Sequence, residues 1–547
     1  MNSMSKSFKL SVIAATLFTA INAQAAIYKV VEVQPITIDA KETHGVAIQP
    51  SLPGENCFVD TDCADGDSYA IAVEGRNWDE GISYREEVPF GTDNSFRVLD
   101  DNGDKDDFEY YCDRELRYSI CESWAETKTE GYQKEVGGDY TNAPAEVVGG
   151  SYDGIVNQDN TVINRLTANG EAIGNSRDGD DIRNQAFVDQ QDLFTPTDSP
   201  KVVESRAFAS DATGDYTVGS ISRFERNSNG EHYSSKATIW NQSKAIEIPW
   251  GSGVNVKKDQ LIAQGSLRDL MVDEDENKLY GVGYNTYDKD HNHMDATIFT
   301  CDSGLTCTSK QVLGTTDRDR YSNSVVERVN TNGVAVGEAK LRASDSGSQA
   351  NLLFYVKDVK NPTATYLNNS GQAIFFKGAG GQVGGLNDRN ELVGQIDAQQ
   401  HQTTHGKPRM QRGFIYPLPV EASENMDFAP NDTLGNKARL LDDLTNDGTG
   451  TTNNEFRITN ATDINNAGVI SATALKCEGG YQSAAHNARC DGTEQIVAVK
   501  LVPISGVTSA DIQARNWIEP TISRSGGSLG LFALTLLGWL GFRRARA

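Results

Sequence analysis

Between residues 27 and 505 this 547-residue sequence lacks any long helical periodicity, which excludes a helical body. It is also short of positive charge: 50 Lys and Arg against 76 Asp and Glu leave a formal charge of −26. Such a surface repels nucleic acid and anionic lipid, so neither is a main partner. Metal and nucleophile signatures are missing as well. There is no Cys-x-x-Cys, no His-Glu-x-x-His and no Walker loop, and no Gly-x-Ser-x-Gly between residues 26 and 505. His291 with His293, and His401 with His405, have no glutamate in a zinc-binding pattern and read as surface residues of polar loops. Two apolar runs exist, but both are shorter than the ~20 residues of a stable bilayer span.

Those two runs lie at the ends of the chain. At the first, Lys6 and Lys9 precede the apolar stretch Leu10 to Ala20, and Ala23-Gln24-Ala25 supplies the small-x-small pattern that signal peptidase accepts. Residues 1–25 therefore read as a signal peptide cut between Ala25 and Ala26. At the other end Ser525-Gly526-Gly527-Ser528 leads into Leu529 to Phe542, closed by Arg543, Arg544 and Arg546. The arginines keep the extreme end cytoplasmic and leave the glycine pair outside. Small, flexible residues beside a short helix suit an intramembrane protease; a plain C-terminal anchor is the competing reading. Without both ends the body carries a charge of −31.

This tail, residues 526–547 after a linker at 506–525, closely resembles the GlyGly-CTERM sorting signal of Gram-negative bacteria. The resemblance implies processing near Gly526 and Gly527 by rhombosortase, a rhomboid-type intramembrane protease, followed by type II secretion. The protein would pass through an inner-membrane intermediate to the cell surface or the medium, touching membrane only through the tail.

Eight cysteines fall as near neighbours: Cys57 and Cys63, Cys112 and Cys121, Cys301 and Cys307, Cys477 and Cys490. An even count in close pairs reads as four local disulfides in an oxidising compartment. Folded structure is the better reading of the acidity than disorder, because 19 Tyr and 19 Phe accompany those pairs.

The body, residues 26–505, repeats itself loosely. A turn bearing Asn, Asp or Gly is followed by a short strand ending in Val-Gly or its equivalent, at 164–176, 207–220, 268–284, 326–338, 385–395 and 461–471. An aromatic strand follows most of these, at 185–188, 237–240, 296–299, 352–356 and 413–416. Residues 44–49 form a degenerate first copy. Each unit is a β-hairpin whose turn needs positive φ, and the glycine after Val admits a close backbone or a bulge. The marks run from Gly174 through Gly219, Gly283, Gly337 and Gly394 to Ser471.

One hairpin cannot bury its own apolar face, so such units pack side by side. The expected fold is all-β: a β-propeller-like ring of about seven repeats, with an open solenoid as the alternative. Closure would come from pairing Ile27 to Val33 with a strand of the last repeat. Residues 50–150 read as a disulfide-stapled insertion and residues 418–455 as a long loop. The Asn387-Asp388-Arg389-Asn390 turn with Val393-Gly394, and Ala186-Phe187, are similar to HAF-type extracellular repeats of an uncharacterised bacterial domain-of-unknown-function family. That resemblance implies the fold and no established activity.

One ion candidate stands out. Asp100, Asn102, Asp104 and Asp106 alternate through an acidic turn and could converge on Ca²⁺, which takes hard oxygen ligands. Lys105 and Tyr111 break the EF-hand pattern, and a solvated acidic loop is the other reading. No cofactor besides calcium is indicated. The favoured function is a non-catalytic secreted or surface-attached protein that binds a glycan or a protein partner. The alternatives are a secreted carboxylate-dependent hydrolase and a structural envelope component.

Overall fold

The computed structural model describes residues 26–517 apart from 53, 62, 64–67, 79–84, 86–103, 151–153, 158, 179–181, 228–229, 242–243, 259–260, 289–291, 421–431, 449–451 and 516. The signal segment with Ala25, the glycine pair at 526 and 527, and the apolar tail lie outside the described residues, as do Asp100 and Asn102. No helix among the described residues is long and apolar enough to cross a membrane.

The chain is mostly β, arranged as seven successive four-stranded antiparallel units. Their first strands are Glu42–Ile48, Thr161–Leu166, Val202–Ser210, Gly265–Asp273, Tyr321–Val329, Gly381–Leu386 and Phe456–Ile464. Units 2 and 3 are joined by one parallel pair, Glu204 with Asn184. Unit 7 takes its outer strand from the opposite end of the chain: Tyr28–Glu32 runs antiparallel to Glu494–Pro503, with Tyr28 opposite Pro503 and Glu32 opposite Val499.

First strands of consecutive units lie side by side, and that of unit 7 lies beside that of unit 1. A hydrophobic cluster fills every interval between neighbours. Ile173 and Ala186 of unit 2 meet Ile221 and Trp240 of unit 3, and Ile48 and Val73 of unit 1 meet Val469 and Val502 across the junction with unit 7. The core is thus divided among the junctions, and the arrangement is propeller-like.

The repeated turn has a local cause. Asn330, Asn387 and Asn465 each open a hairpin between first and second strands, and the fourth residue of each turn (Gly333, Asn390, Gly468) sits at positive φ, where Gly and Asn are favoured. The side-chain oxygen of Asn387 accepts from Arg389 N and Glu391 N, at 3.1 and 3.0 Å. Its amide then donates to the carbonyl of Asn465 in the next unit. Asn330 does the same to Asn387, and Asn465 to Gln49 of unit 1. The motif therefore builds the turn and fastens it to its neighbour.

The aromatic strands of the repeat are the third strands of units 2 to 6. All four expected disulfides are present: Cys57–Cys63, Cys112–Cys121, Cys301–Cys307 and Cys477–Cys490.

Three expectations change. Residues 50–150 contain the second and third strands of unit 1, Ile71–Arg76 and Ala145–Val148, so the insertion is confined to the segment between them. Within it, helices Lys105–Tyr111 and Cys121–Val136 pack on each other through Phe108, Ala125 and Tyr132. That apolar contact is too sparse to show as a helical period. The 418–455 segment carries the fourth strand of unit 6, Arg439–Leu440, and a helical turn, Leu441–Leu444, because Leu440, Leu441 and Leu444 are buried.

Candidate functional site

Every first strand carries a β-bulge at the same place. The register slips at Val46, Asn164, Phe208, Arg268, Glu327, Gly384 and Thr462. A bulge leaves one extra residue unpaired and re-aims it. All seven extra residues line one cavity of about 370 Å³, placed where the first strands of all units converge.

The glycines of the repeat make the bulges fit. Gly174, Gly219, Gly283, Gly337 and Gly394 stand opposite the residue just before the bulge. A Cβ on Gly283 would fall 2.0 Å from the carbonyl oxygen of Ser266. In unit 7 the register puts Ala472 in this position, one residue beyond Ser471.

Beneath the bulge residues lies a charged floor. Arg165 donates to Asp269 at 2.9 Å and to Asp463 at 2.8 Å. Burial disfavours the Arg165 charge, but the two carboxylates outweigh it and hold the guanidinium above its ordinary value. Backbone groups also donate to these carboxylates: Leu270 N and Val329 N to Asp269, Ile464 N and Ile48 N to Asp463. Arg328 shares this level. Burial, reinforced by Arg165, pushes its guanidinium down to about 10. Its Nη1 donates to the carbonyl of Glu327 at 2.9 Å, while its buried Nε has no partner.

The cavity walls carry four arginines and three glutamates: Arg76, Arg85, Arg268 and Arg328 against Glu74, Glu327 and Glu338. Glu74 is fully buried, with Arg76 at 2.9 Å and Arg85 in contact, and accepts from Ile163 N at 2.9 Å. Burial alone would raise its carboxyl, but Arg85 and Arg76 bring it below the usual range. Glu338 accepts from Val383 N at 2.7 Å. Arg268 lies over the Phe208 ring at 4.1 Å. The carboxyls raised by burial (Asp295, Asp397 and Asp443) lie in units 4 and 6 and do not line this cavity.

Of the acidic turn, Asp104 and Asp106 are described. Asp104 caps the helix Lys105–Tyr111, accepting from Asp106 N at 2.9 Å and Asp107 N at 3.2 Å, and Asp106 lies in its first turn. Among the described residues no group of three or more His, Cys, Asp or Glu side chains could hold a metal ion. Ala26 is buried just before the first strand.

Sequence reasoning missed the cavity because its seven key residues have no chemistry in common. A positional signal existed. In units 2, 3, 5, 6 and 7 the bulge residue precedes the positive-φ turn residue by six positions, as with Glu327 and Gly333.

Fold and site together define a disulfide-bonded, propeller-like β-repeat protein with a polar axial cavity, and the four disulfides point to an oxidising compartment. Residues 274–545 match the model of a family described as a protein of unknown function, DUF3466, which supports an uncharacterised domain family for this part of the chain. No curated protein matches the chain.

Similar solved structures include a Bombyx mori GH32 beta-fructofuranosidase (8% identity, 46% of this chain and 60% of that chain, TM-score 0.24). The chain thus spans about 60% of the length of that enzyme. A protein described as a glycoside hydrolase (12%, 60% and 94%, TM-score 0.23) and Bacillus subtilis levansucrase (8%, 77% and 91%, TM-score 0.24) are others. At such TM-scores these likenesses carry no argument about fold or activity.

Proposed function

We propose that this is a non-catalytic binding protein of the bacterial envelope or exterior, a seven-bladed propeller that holds a glycan in its axial cavity. The observation that carries the reading is the convergence of seven bulge residues on one polar cavity of about 370 Å³. Ligand sites favour concave places where a few polar groups converge from several elements. The acids whose partners are defined are already committed: Glu74 to two arginines and Ile163 N, Glu338 to Val383 N. A glycosidase needs a carboxyl kept protonated near neutral pH beside a second one, and the raised carboxyls lie elsewhere. Export would follow the route implied by the two ends, through signal peptidase, rhombosortase and type II secretion; the disulfides agree with that destination.

The test is binding of the exported protein to a panel of neutral and acidic glycans and cell-wall fractions, beside a Glu327→Trp variant whose indole fills the cavity. Saturable binding that the variant loses supports the reading. Binding unaffected by Glu327→Trp, or release of new reducing ends by the unaltered protein, overturns it.

A further inference from the structure

Resting on the binding reading above, we propose that Arg328 receives the carboxylate of an acidic sugar at the floor of the axial cavity. The residue that follows the bulge in each unit forms one layer around the axis: Ala47, Arg165, Ala209, Asp269, Arg328, Gly385 and Asp463. Two of these are cationic and two anionic, yet the pairing is lopsided. Both aspartates turn to Arg165, and each of their four oxygens already accepts a hydrogen bond from Arg165 or from the backbone. Arg328 makes no ion pair among the described residues, and only its Nη1 is engaged, by the carbonyl of Glu327.

An enclosed guanidinium with a free Nε is unfavourable until an anion reaches it. The unengaged edge of a guanidinium presents parallel N–H groups that match a planar carboxylate in two hydrogen bonds. Arg328 lines the cavity, whose walls hold one more arginine than glutamate in a chain of net charge −26.

A second unpartnered atom points to a sugar rather than to a bare anion. Asn351 gives one amide hydrogen bond to Glu338, at 3.4 Å, while its buried Oδ1 has no partner. It lines the same cavity as Arg328, and Gln382, Asn460 and Thr473 line that cavity too. A free acceptor among amides and a hydroxyl suits ring hydroxyls, and one free cationic donor edge suits one carboxylate. A uronic acid carries both.

The experiment is calorimetric titration of the intact exported protein at low ionic strength with D-glucuronate and with D-glucose. Glucuronate is expected to bind at least tenfold more tightly. Arg328→Gln should weaken glucuronate at least tenfold and glucose much less, so that the preference for glucuronate disappears. Arg328→Lys should fall between the two, because it keeps the charge and loses the fork. Glu327→Gln, which removes a carboxylate from the same wall, should tighten glucuronate. Equal affinity for the two sugars, or undiminished glucuronate binding by Arg328→Gln, overturns the carboxylate assignment. It leaves the broader binding reading standing if both sugars are lost in Glu327→Trp. Binding of neither sugar also overturns the assignment, and the glycan panel then decides the binding reading separately.

Discussion

Arg165 donates to Asp463 at 2.8 Å although 298 residues separate them. The same guanidinium reaches Asp269, so one side chain of unit 2 ties units 4 and 7 together across the axis. Removing one member of a buried ion pair strands the others, which typically costs about 3–5 kcal/mol. Arg165→Met should therefore lower stability by about that amount in urea denaturation. Combining it with Asp269→Asn and Asp463→Asn should recover part of the loss, because neither carboxylate is then stranded, although Arg328 keeps its charge at the same level.

Ring closure depends on Tyr28–Glu32 pairing with Glu494–Pro503. Deleting residues 26–33 exposes the outer edge of unit 7 and removes the buried Ile27 and Tyr28 from its core. Hydrogen exchange should show lost protection at residues 461–471, far away in sequence, and the variant should aggregate. In an open solenoid those residues would keep their protection.

Asn387 fills four hydrogen-bonding roles in and between units 6 and 7. An Asn387→Ala variant leaves Arg389 N, Glu391 N and the Asn465 carbonyl without these partners. At about 1–3 kcal/mol for a stranded buried group, the loss should be several-fold that of removing an exposed turn side chain such as Thr213. Thermal unfolding of the two variants makes the comparison.

Asp443 gives a pH signature. Its carboxyl accepts from Arg515 N at 2.7 Å and Trp517 Nε1 at 3.0 Å, and burial pushes it up from 3.8 to about 6. A folded-state value above the unfolded one means that this group's contribution is complete below about pH 4 and is lost as pH rises through about 6. Asp443→Asn keeps an acceptor and cannot ionise. It should exceed the unaltered protein in stability at pH 8, by at most about 3 kcal/mol, and the two should converge below pH 4. A difference that does not vary with pH would contradict this assignment.

Gly283 faces the bulge of unit 4 so closely that an added methyl would overlap the Ser266 carbonyl. Gly283→Ala should cost at least about 1–3 kcal/mol through overpacking and should disturb the cavity wall at Arg268. Chemical denaturation and the glycan panel read the two effects separately.

The repeating hairpins were legible because their causes are local. An Asn that accepts from the backbone four residues on (and, at Asn330 and Asn387, two on), followed by a residue at positive φ, is written in adjacent positions at Asn330, Asn387 and Asn465. The disulfides were legible for the same reason, since each joins cysteines no more than 13 residues apart. The helix Cys121–Val136 was missed because its buried side is small, with Ala125, Thr129 and Tyr132 in place of a broad apolar stripe.

The sequence by itself determined the β-class, the turn chemistry, the local disulfides and the glycine positions, because each is a matter of a few neighbouring residues and their backbone angles. Only the tertiary structure decided that Val46, Asn164, Phe208, Arg268, Glu327, Gly384 and Thr462 share one cavity, and that Arg165 would claim both aspartates and leave Arg328 without one. Those relationships arise when seven units pack around a common axis. They depend on distances across the ring, which no spacing along the chain encodes.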